Sequence, residues 1–132
     1  MKFERNIKGF KRDVQGIPLY VGLYQYTEEE LSKMKVLYNE KGIGGAIKDN
    51  GHITSVFNIS EIRGAGRELM KEIIKEGGRK LICFEELKDY YRELGFQETD
   101  TWTIGERPGK PEYWDTSDPK YGVRKVIQME LI

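Results

Sequence analysis

The sequence has too few metal-binding or disulfide-forming residues for either kind of site to organise it. Its 132 residues include one cysteine, Cys83, and one histidine, His52. A single cysteine cannot close an internal disulfide or build a cysteine-rich zinc site, and the carboxylates are scattered along the chain. We therefore expect no metal site. Cys83 lies in the apolar run LICF, which indicates a buried small hydrophobic residue rather than a reactive thiol.

Net charge and long apolar runs are also missing. Lys plus Arg and Asp plus Glu both number 22, so no overall positive field exists to attract nucleic acid. No run approaches the roughly 18 apolar residues of a membrane span, and MKFERNIKGF lacks the apolar core of a secretory signal. We therefore expect a cytoplasmic protein with no membrane or nucleic-acid partner. The length and the 38% of hydrophobic residues fit one globular domain over 1–132.

Hydrophobic spacing predicts that strands and helices alternate along the chain. Residues 3–26 read as strand material, and Thr27 with Glu30 has the spacing of a capping box that starts a helix ending at Gly42. Asn50-Gly51 is typical of a hairpin turn. The other predicted elements are the two hairpin strands within 44–58, a helix in 61–74, a central strand over 80–84, a helix over 86–95, and strands over 96–104 and 125–132. This order predicts a mixed α/β sheet.

The segment 105–124 has neither a helical nor a strand pattern and holds three of the four prolines. Long loops in a compact domain are often binding loops or lids. Its Tyr113, Trp114 and Tyr121 could line an acceptor site or could pin the loop to the protein body, and the sequence leaves both readings open.

The stretch EIRGAGRELMKEII (61–74) places two glycines at the start of a helix with an apolar stripe. Gly64 and Gly66 allow a ligand to approach the backbone, and the first N–H groups of a helix have no partner within it. Together with the helix dipole, Arg63 and Arg67, these groups favour a phosphate. The stretch lacks the Gly-Lys-Ser/Thr of a P-loop and the third glycine of a dinucleotide fingerprint. Alone, it fits either an anion site or an ordinary tight turn.

A second pattern follows in the order KLICF (80–84) and DYYRELGF (89–96). The glycine turn with its Arg-x-Leu-Met helix, the short strand and aromatic-Tyr-x-x-Leu-Gly-Phe together resemble the Gcn5-related N-acetyltransferase (GNAT) superfamily over about residues 44–132. The resemblance implies the acetyl-CoA N-acyltransferase fold, a mostly antiparallel twisted sheet with flanking helices. It implies an enzyme that moves an acetyl group from acetyl-CoA to a primary amine of a small molecule or protein. A homodimer is possible in this family.

The family binds the pyrophosphate of acetyl-CoA on backbone N–H groups of a loop written Gln/Arg-x-x-Gly-x-Gly/Ala. Gly64 and Gly66 match its glycines. The resemblance therefore assigns the pyrophosphate to Arg63, Gly64, Ala65, Gly66 and Arg67. It assigns backbone hydrogen bonds with the pantetheine arm to Ser55, Val56 and Phe57, a role of the family's fourth strand.

Two positions depart from the family pattern. Glu61 stands at the Gln/Arg position of the loop, and Phe84 stands where the family often has an asparagine at the end of a strand. The second departure removes one expected contact with pantetheine or an amide.

Tyr91 matches the family tyrosine that acts as general acid near the thioester sulfur, although it could also be a core residue on an apolar helix face. Tyr90 is expected to pack beside it. His52 is expected to be exposed and inert. No general base stands out, and the weak candidates are Glu61, Glu85, Glu86, Glu98, Glu106 and Asp115. The sequence therefore favours a mechanism in which water relays the amine proton.

Two other functions remain open at this point. A non-catalytic domain of this fold could bind CoA or a protein partner, as the departures at Glu61 and Phe84 and the missing base would suggest. An enzyme acetylating aminoacyl-tRNA is disfavoured by the zero net charge, since tRNA binding usually needs a basic face.

Overall fold

The structure, a computed structural model, describes residues 1–17, 25–103 and 125–131. Its elements in chain order are α1 (Ile7–Gln15), α2 (Glu28–Ser32), β1 (Lys35–Asn39), β2 (Ile43–Ile47), β3 (Ile53–Asn58), α3 (Ala65–Lys75), β4 (Lys80–Phe84), a 3₁₀ turn (Glu85–Leu87), α4 (Lys88–Glu93), β5 (Phe96–Thr103) and β6 (Lys125–Leu131). They form two compact units, Met1–Arg79 and Lys80–Ile132. The single domain inferred from length stays a prediction. None of the helices in the described ranges is long and apolar enough to cross a membrane.

The first unit is built on an antiparallel sheet in the order β1-β2-β3. Every residue of β2 is buried, because helices cover both of its faces. On one face α3 approaches closely at Gly45, where an added Cβ would lie 2.8 Å from Ile73 Cδ1. On the other face Ala46 joins a core cluster with Phe10 of α1 and Leu31 of α2. The sheet thus carries α3 on one side and α1 with α2 on the other.

The prediction of strand material over residues 3–26 is wrong for the part that forms α1, and residues 18–24 lie outside the described residues. Asn6 starts α1, since its Oδ1 accepts the N–H of the third helical residue at 2.9 Å. Phe10 and Val14 are four residues apart and both buried, as expected for one face of a helix.

The helix predicted from Thr27 to Gly42 is also wrong beyond its first turn. The capping box is present, with Thr27 and Glu30 exchanging hydrogen bonds of 3.0 and 3.1 Å. However, α2 ends after five residues and β1 follows. Val36 and Tyr38 are buried at alternate positions of β1, because that face of the strand joins the core cluster with Phe10. Gly42, with φ of +98°, closes the turn between the two strands.

The remaining predicted elements are confirmed with adjusted bounds. The hairpin joins β2 and β3 as predicted, but its turn is longer than two residues. The Gly51 N–H bonds the Lys48 carbonyl at 2.9 Å, and Gly51 has a left-handed φ of +85° whereas Asn50 does not. In the second unit β4, β6 and β5 form an antiparallel sheet with α4 beside it. Its central strand is β6, so the expectation that 80–84 is central is wrong. Antiparallel sheets with flanking helices confirm the predicted α/β fold class. The predicted loop over 105–124 lies outside the described residues.

Candidate functional site

The glycine turn predicted to hold a phosphate lies at the N-terminus of α3. Gly64 precedes the helix with φ of +84°, a left-handed conformation that glycine adopts without strain. A Cβ added there would meet nothing within 4 Å, and no side chain caps the helix. This end of α3 is therefore open for a ligand to approach the backbone.

The first turn of α3 offers backbone donors and nearby positive charge. The Ala65 N–H bonds the Ile62 carbonyl at 3.3 Å, and the first bond of the helical pattern runs from the Glu68 N–H to the Gly64 carbonyl at 3.2 Å. The N–H groups of Gly66 and Arg67 precede that bond, where a helix end attracts anions. The predicted Arg63 and Arg67 side chains are exposed at this end, as is Glu68, whose negative charge opposes theirs.

Asn58, the last residue of β3, shapes the loop that leads into the glycine turn. Its Oδ1 accepts the Ser60 N–H at 3.0 Å and the Ser60 hydroxyl at 2.5 Å, and Ser60 Oγ accepts the Ile62 N–H at 3.1 Å. Glu61, the departure from the family loop, is exposed and has a left-handed φ of +63°. Sequence reasoning missed this arrangement, whose signal is the Asn-x-Ser spacing typical of a side-chain-stabilised turn.

The residues predicted to contact the pantetheine arm lie at a bulge in β3. Ser55 and Val56 together stand opposite the single β2 residue Gly45, so β3 carries one extra residue. Ser55 is buried and has φ of +53°, a conformation uncommon for a residue with a side chain. The Phe57 ring packs edge-on against Phe10 with centroids 5.4 Å apart. Because the ring is engaged in the core, the part of Phe57 that suits a ligand contact is its backbone.

Tyr91, the predicted general acid, lies on α4 of the second unit and is 7% exposed. Its ring makes edge contacts with Tyr90 and Phe96, with centroids 5.1 and 6.0 Å apart. No hydrogen bond to its hydroxyl occurs within the described residues. Burial, followed by Cys83 and Tyr90, raises the pKa of Tyr91 above the ordinary tyrosine value. The hydroxyl therefore remains protonated at neutral pH and can act as a donor.

Cys83 is buried, as predicted, and lies beside Met129 with their sulfur atoms 3.9 Å apart. Burial, followed by the charges of Glu86 and Glu98, raises the pKa of its thiol to about 12. Because only the thiolate is nucleophilic, this environment suppresses its reactivity.

We expect Cys83 to react very slowly with Ellman's reagent in the folded protein. With a pKa of about 12 instead of 9, the thiolate fraction at pH 8 falls by about a thousandfold. The measured rate at pH 8 should rise about as much when urea unfolds the chain. Since the folded pKa is raised, this contribution to stability is complete below pH 9 and is lost as pH rises toward 12. Fast modification of fully folded protein would contradict the buried placement.

The candidate general bases in the described residues do not stand out by their environment. His52 is half-buried rather than exposed, and its backbone N–H bonds Asn50 Oδ1 at 3.0 Å in the hairpin turn. The exposed candidates are Glu61, Glu85, Glu86 and Glu98, whereas Glu106 and Asp115 lie outside the described residues. No group of three or more His, Cys, Asp or Glu suited to a metal ion occurs in residues 1–17, 25–103 and 125–131.

A cavity of about 150 Å³, which was not predicted, opens between α1 and the chain before α2. Its apolar side includes Phe10, Val14 and Leu31, and Tyr26 also lines it. The Tyr26 hydroxyl makes a hydrogen bond of 3.0 Å with Thr54 Oγ1, next to the bulge in β3.

Solved structures similar to this chain include known acetyltransferases. N-acetylglutamate synthase from Neisseria gonorrhoeae, complexed with coenzyme A and L-arginine, matches 99% of the chain at 17% identity and a TM-score of 0.51. The chain spans 32% of that protein. The ribosomal-protein-S18-alanine N-acetyltransferase from Escherichia coli matches 92% of the chain and 86% of its own length at 17% identity and a TM-score of 0.53.

A candidate N-acetyltransferase from Lactobacillus plantarum matches 96% of the chain and 92% of its own length, at 11% identity and a TM-score of 0.53. No protein-family model matches the chain, and no curated protein sequence matches it significantly. The likeness lies in the three-dimensional arrangement of elements. The chain has the fold of the Gcn5-related N-acetyltransferases, as its two sequence signatures predicted.

Proposed function

We propose that the protein is an acetyl-CoA-dependent N-acetyltransferase that acts on a primary amine of a small molecule or protein. The observation that carries this proposal is the open, left-handed Gly64 turn at the N-terminus of α3. A backbone-lined helix end flanked by Arg63 and Arg67 suits the pyrophosphate of acetyl-CoA. Two of the similar structures support the class of reaction, since one was solved with coenzyme A and the other acts on an alanine amine.

The bulge in β3 would hold the other end of the donor. A bulge interrupts the ladder of strand hydrogen bonds and re-aims backbone groups, so we place the amides of the pantetheine arm against the backbone near Ser55 and Val56. The glycine turn and the bulge belong to the same unit, and α3 packs directly against β2 and β3. We assign Ser55, Val56 and Phe57 to the arm and residues 63–67 to the pyrophosphate.

The reaction then needs an amine without its proton and a good leaving group. The neutral nitrogen attacks the thioester carbonyl carbon, a C–N bond forms, and the C–S bond breaks. Tyr91, which its raised pKa keeps protonated, donates to the departing sulfur and regains a proton from solvent. Water carries away the proton that the amine loses. Alignment of the two substrates supplies a further large part of the rate enhancement.

Two measurements test the proposal. Isothermal titration calorimetry with acetyl-CoA should show one saturable site, and free thiol should then appear when a panel of amines and cell extract is supplied. Desulfo-acetyl-CoA should bind in the same way but release no thiol, which controls for background chemistry. Absence of any binding would rule out the proposed activity.

A second function, a non-catalytic domain of this fold, is favoured by one feature. Glu61 places an exposed carboxylate beside the loop where the family has Gln or Arg, and the described residues supply no evident base. Such a domain would bind acetyl-CoA or a protein partner without turnover. Saturable binding with no thiol release from any amine or extract would support it.

A further inference from the structure

Ser55 adopts a backbone conformation that its surroundings must maintain. Left-handed φ values are disfavoured for residues with a side chain and persist only where neighbouring contacts hold them. The residue before the bulge, Thr54, is buried and pairs with Ala46 of β2. Contacts on Thr54 and Phe57 are therefore among those that hold the bulge in shape.

Tyr26 supplies the contact on the Thr54 side. Its hydroxyl lies 3.0 Å from Thr54 Oγ1, and its ring packs against the core cluster that includes Phe10 and Phe57. The Lys48 ammonium sits 5.5 Å from the centre of the same ring. These contacts on the half-buried ring place the Tyr26 hydroxyl beside Thr54.

The extra residue in β3 explains why both flanking contacts reach the same side of the sheet. In a regular strand, residues three apart point to opposite faces. Here the bulge lies between Thr54 and Phe57, so the Thr54 hydroxyl bonds Tyr26 and the Phe57 ring contacts Phe10 within one core cluster. Tyr26 and Phe10 hold the two ends of the bulge.

We propose that Tyr26 is a positioning residue of the donor site. Through Thr54 it holds Ser55 in the left-handed conformation, and that conformation presents the bulge backbone to the pantetheine arm. The expected consequence for acetyl-CoA binding rests on the proposed function. The effect of Tyr26 on the Ser55 backbone does not.

Calorimetry on matched variants tests the role in binding. Tyr26→Phe and Thr54→Val should each raise the dissociation constant for acetyl-CoA about three- to tenfold, and the double variant should lose no more than either alone, because both remove one hydrogen bond. Tyr38→Phe is the control, since it removes a tyrosine hydroxyl that bonds Asp13 and Arg12 in the same cluster. Its effect should stay below twofold.

A rescue separates positioning from general destabilisation. Glycine adopts φ of +53° without strain. In a Ser55→Gly variant the bulge should therefore keep its shape with less help from the Tyr26 hydroxyl. In that background Tyr26→Phe should change the dissociation constant by less than twofold. An equal loss in both backgrounds, or wild-type affinity in Tyr26→Phe, would overturn the proposal.

Nuclear magnetic resonance gives a readout that needs no ligand. The ³J coupling and ¹³C shifts of Ser55 should report a left-handed backbone in the wild type and move toward extended values in Tyr26→Phe, but not in Tyr38→Phe. Unchanged Ser55 signals in Tyr26→Phe would overturn the positioning role. Failure of the wild type to bind acetyl-CoA would instead overturn the proposed function, while the Ser55 signals still decide whether Tyr26 holds the bulge.

Discussion

Replacing Gly64 with aspartate should weaken acetyl-CoA binding about a hundredfold and leave the protein folded. The new side chain enters open space, so the fold tolerates it apart from the strain at φ of +84°. A carboxylate about 5 Å from a phosphate charge costs about 3 kcal/mol at an effective dielectric of about 20. That cost corresponds to roughly two orders of magnitude in the dissociation constant. Calorimetry measures the change, and circular dichroism confirms the fold.

The same helix offers a matched control at its other end. Gly77 follows α3 with a left-handed φ of +106°, and an added Cβ there also meets nothing within 4 Å. Gly77→Asp therefore introduces a similar strain and the same charge about 20 Å from Gly64 along the helix, beyond the Debye length at physiological salt. Its acetyl-CoA affinity should remain within about twofold of the wild type. Equal losses in both variants would mean that the glycine turn is not the phosphate site.

Replacing Tyr91 with phenylalanine should lower kcat at least about a hundredfold while the dissociation constant of acetyl-CoA stays the same. General acid catalysis contributes on the order of a hundredfold or more. The phenylalanine ring keeps the edge contacts with Tyr90 and Phe96. Steady-state kinetics with an accepted amine and calorimetry measure the two effects separately.

Tyr90→Phe is the control, because it removes a neighbouring phenol to which no proton-transfer role is assigned. It should retain most of kcat. Since burial raises the pKa of Tyr91 above the ordinary value, Tyr91 should cause no decline in kcat between pH 8 and 10. An alkaline decline in this range that disappears in Tyr91→Phe would show that the hydroxyl ionises earlier than its burial indicates. Unchanged turnover in Tyr91→Phe would remove it from the mechanism.

The sequence was informative where local signals and tertiary contacts agree. The helix after the glycine turn, the hairpin at Asn50-Gly51 and the strands on either side of α4 lie where the sequence predicted them. The glycine turn could be located from sequence because left-handed backbone at a helix start is a local property of glycine.

Residues 7–15 and 35–39 were misread because tertiary contacts override local spacing there. Gly9 lies inside α1, where a glycine normally weakens a helix, yet an added Cβ would lie 2.7 Å from the Tyr38 ring. Tyr38 itself fits a helical pattern with Leu31 but is committed to β1 by pairing with Gly44. Neither constraint is visible until the partner element is known.

The bulge and the state of Tyr91 were beyond prediction for a related reason. No residue type marks Ser55 as left-handed, since the extra residue arises from how β3 registers against β2. The pKa of Tyr91 is raised first by its burial in the folded unit and then by Cys83 and Tyr90. The sequence can point to such residues, but the backbone conformation of Ser55 and the pKa of Tyr91 depend on packing in the folded protein.

The contact of α3 with β2 sets the distance between this helix and the sheet. Gly45 is the point where the helix rests on the sheet, and it is also the residue opposite the bulge. A side chain at Gly45 would push α3 away from the sheet that contains Ser55. The absence of a side chain at Gly45 therefore sets the distance between the N-terminus of α3 and the bulge in β3, the two places to which we assign the pyrophosphate and the pantetheine arm in our proposal.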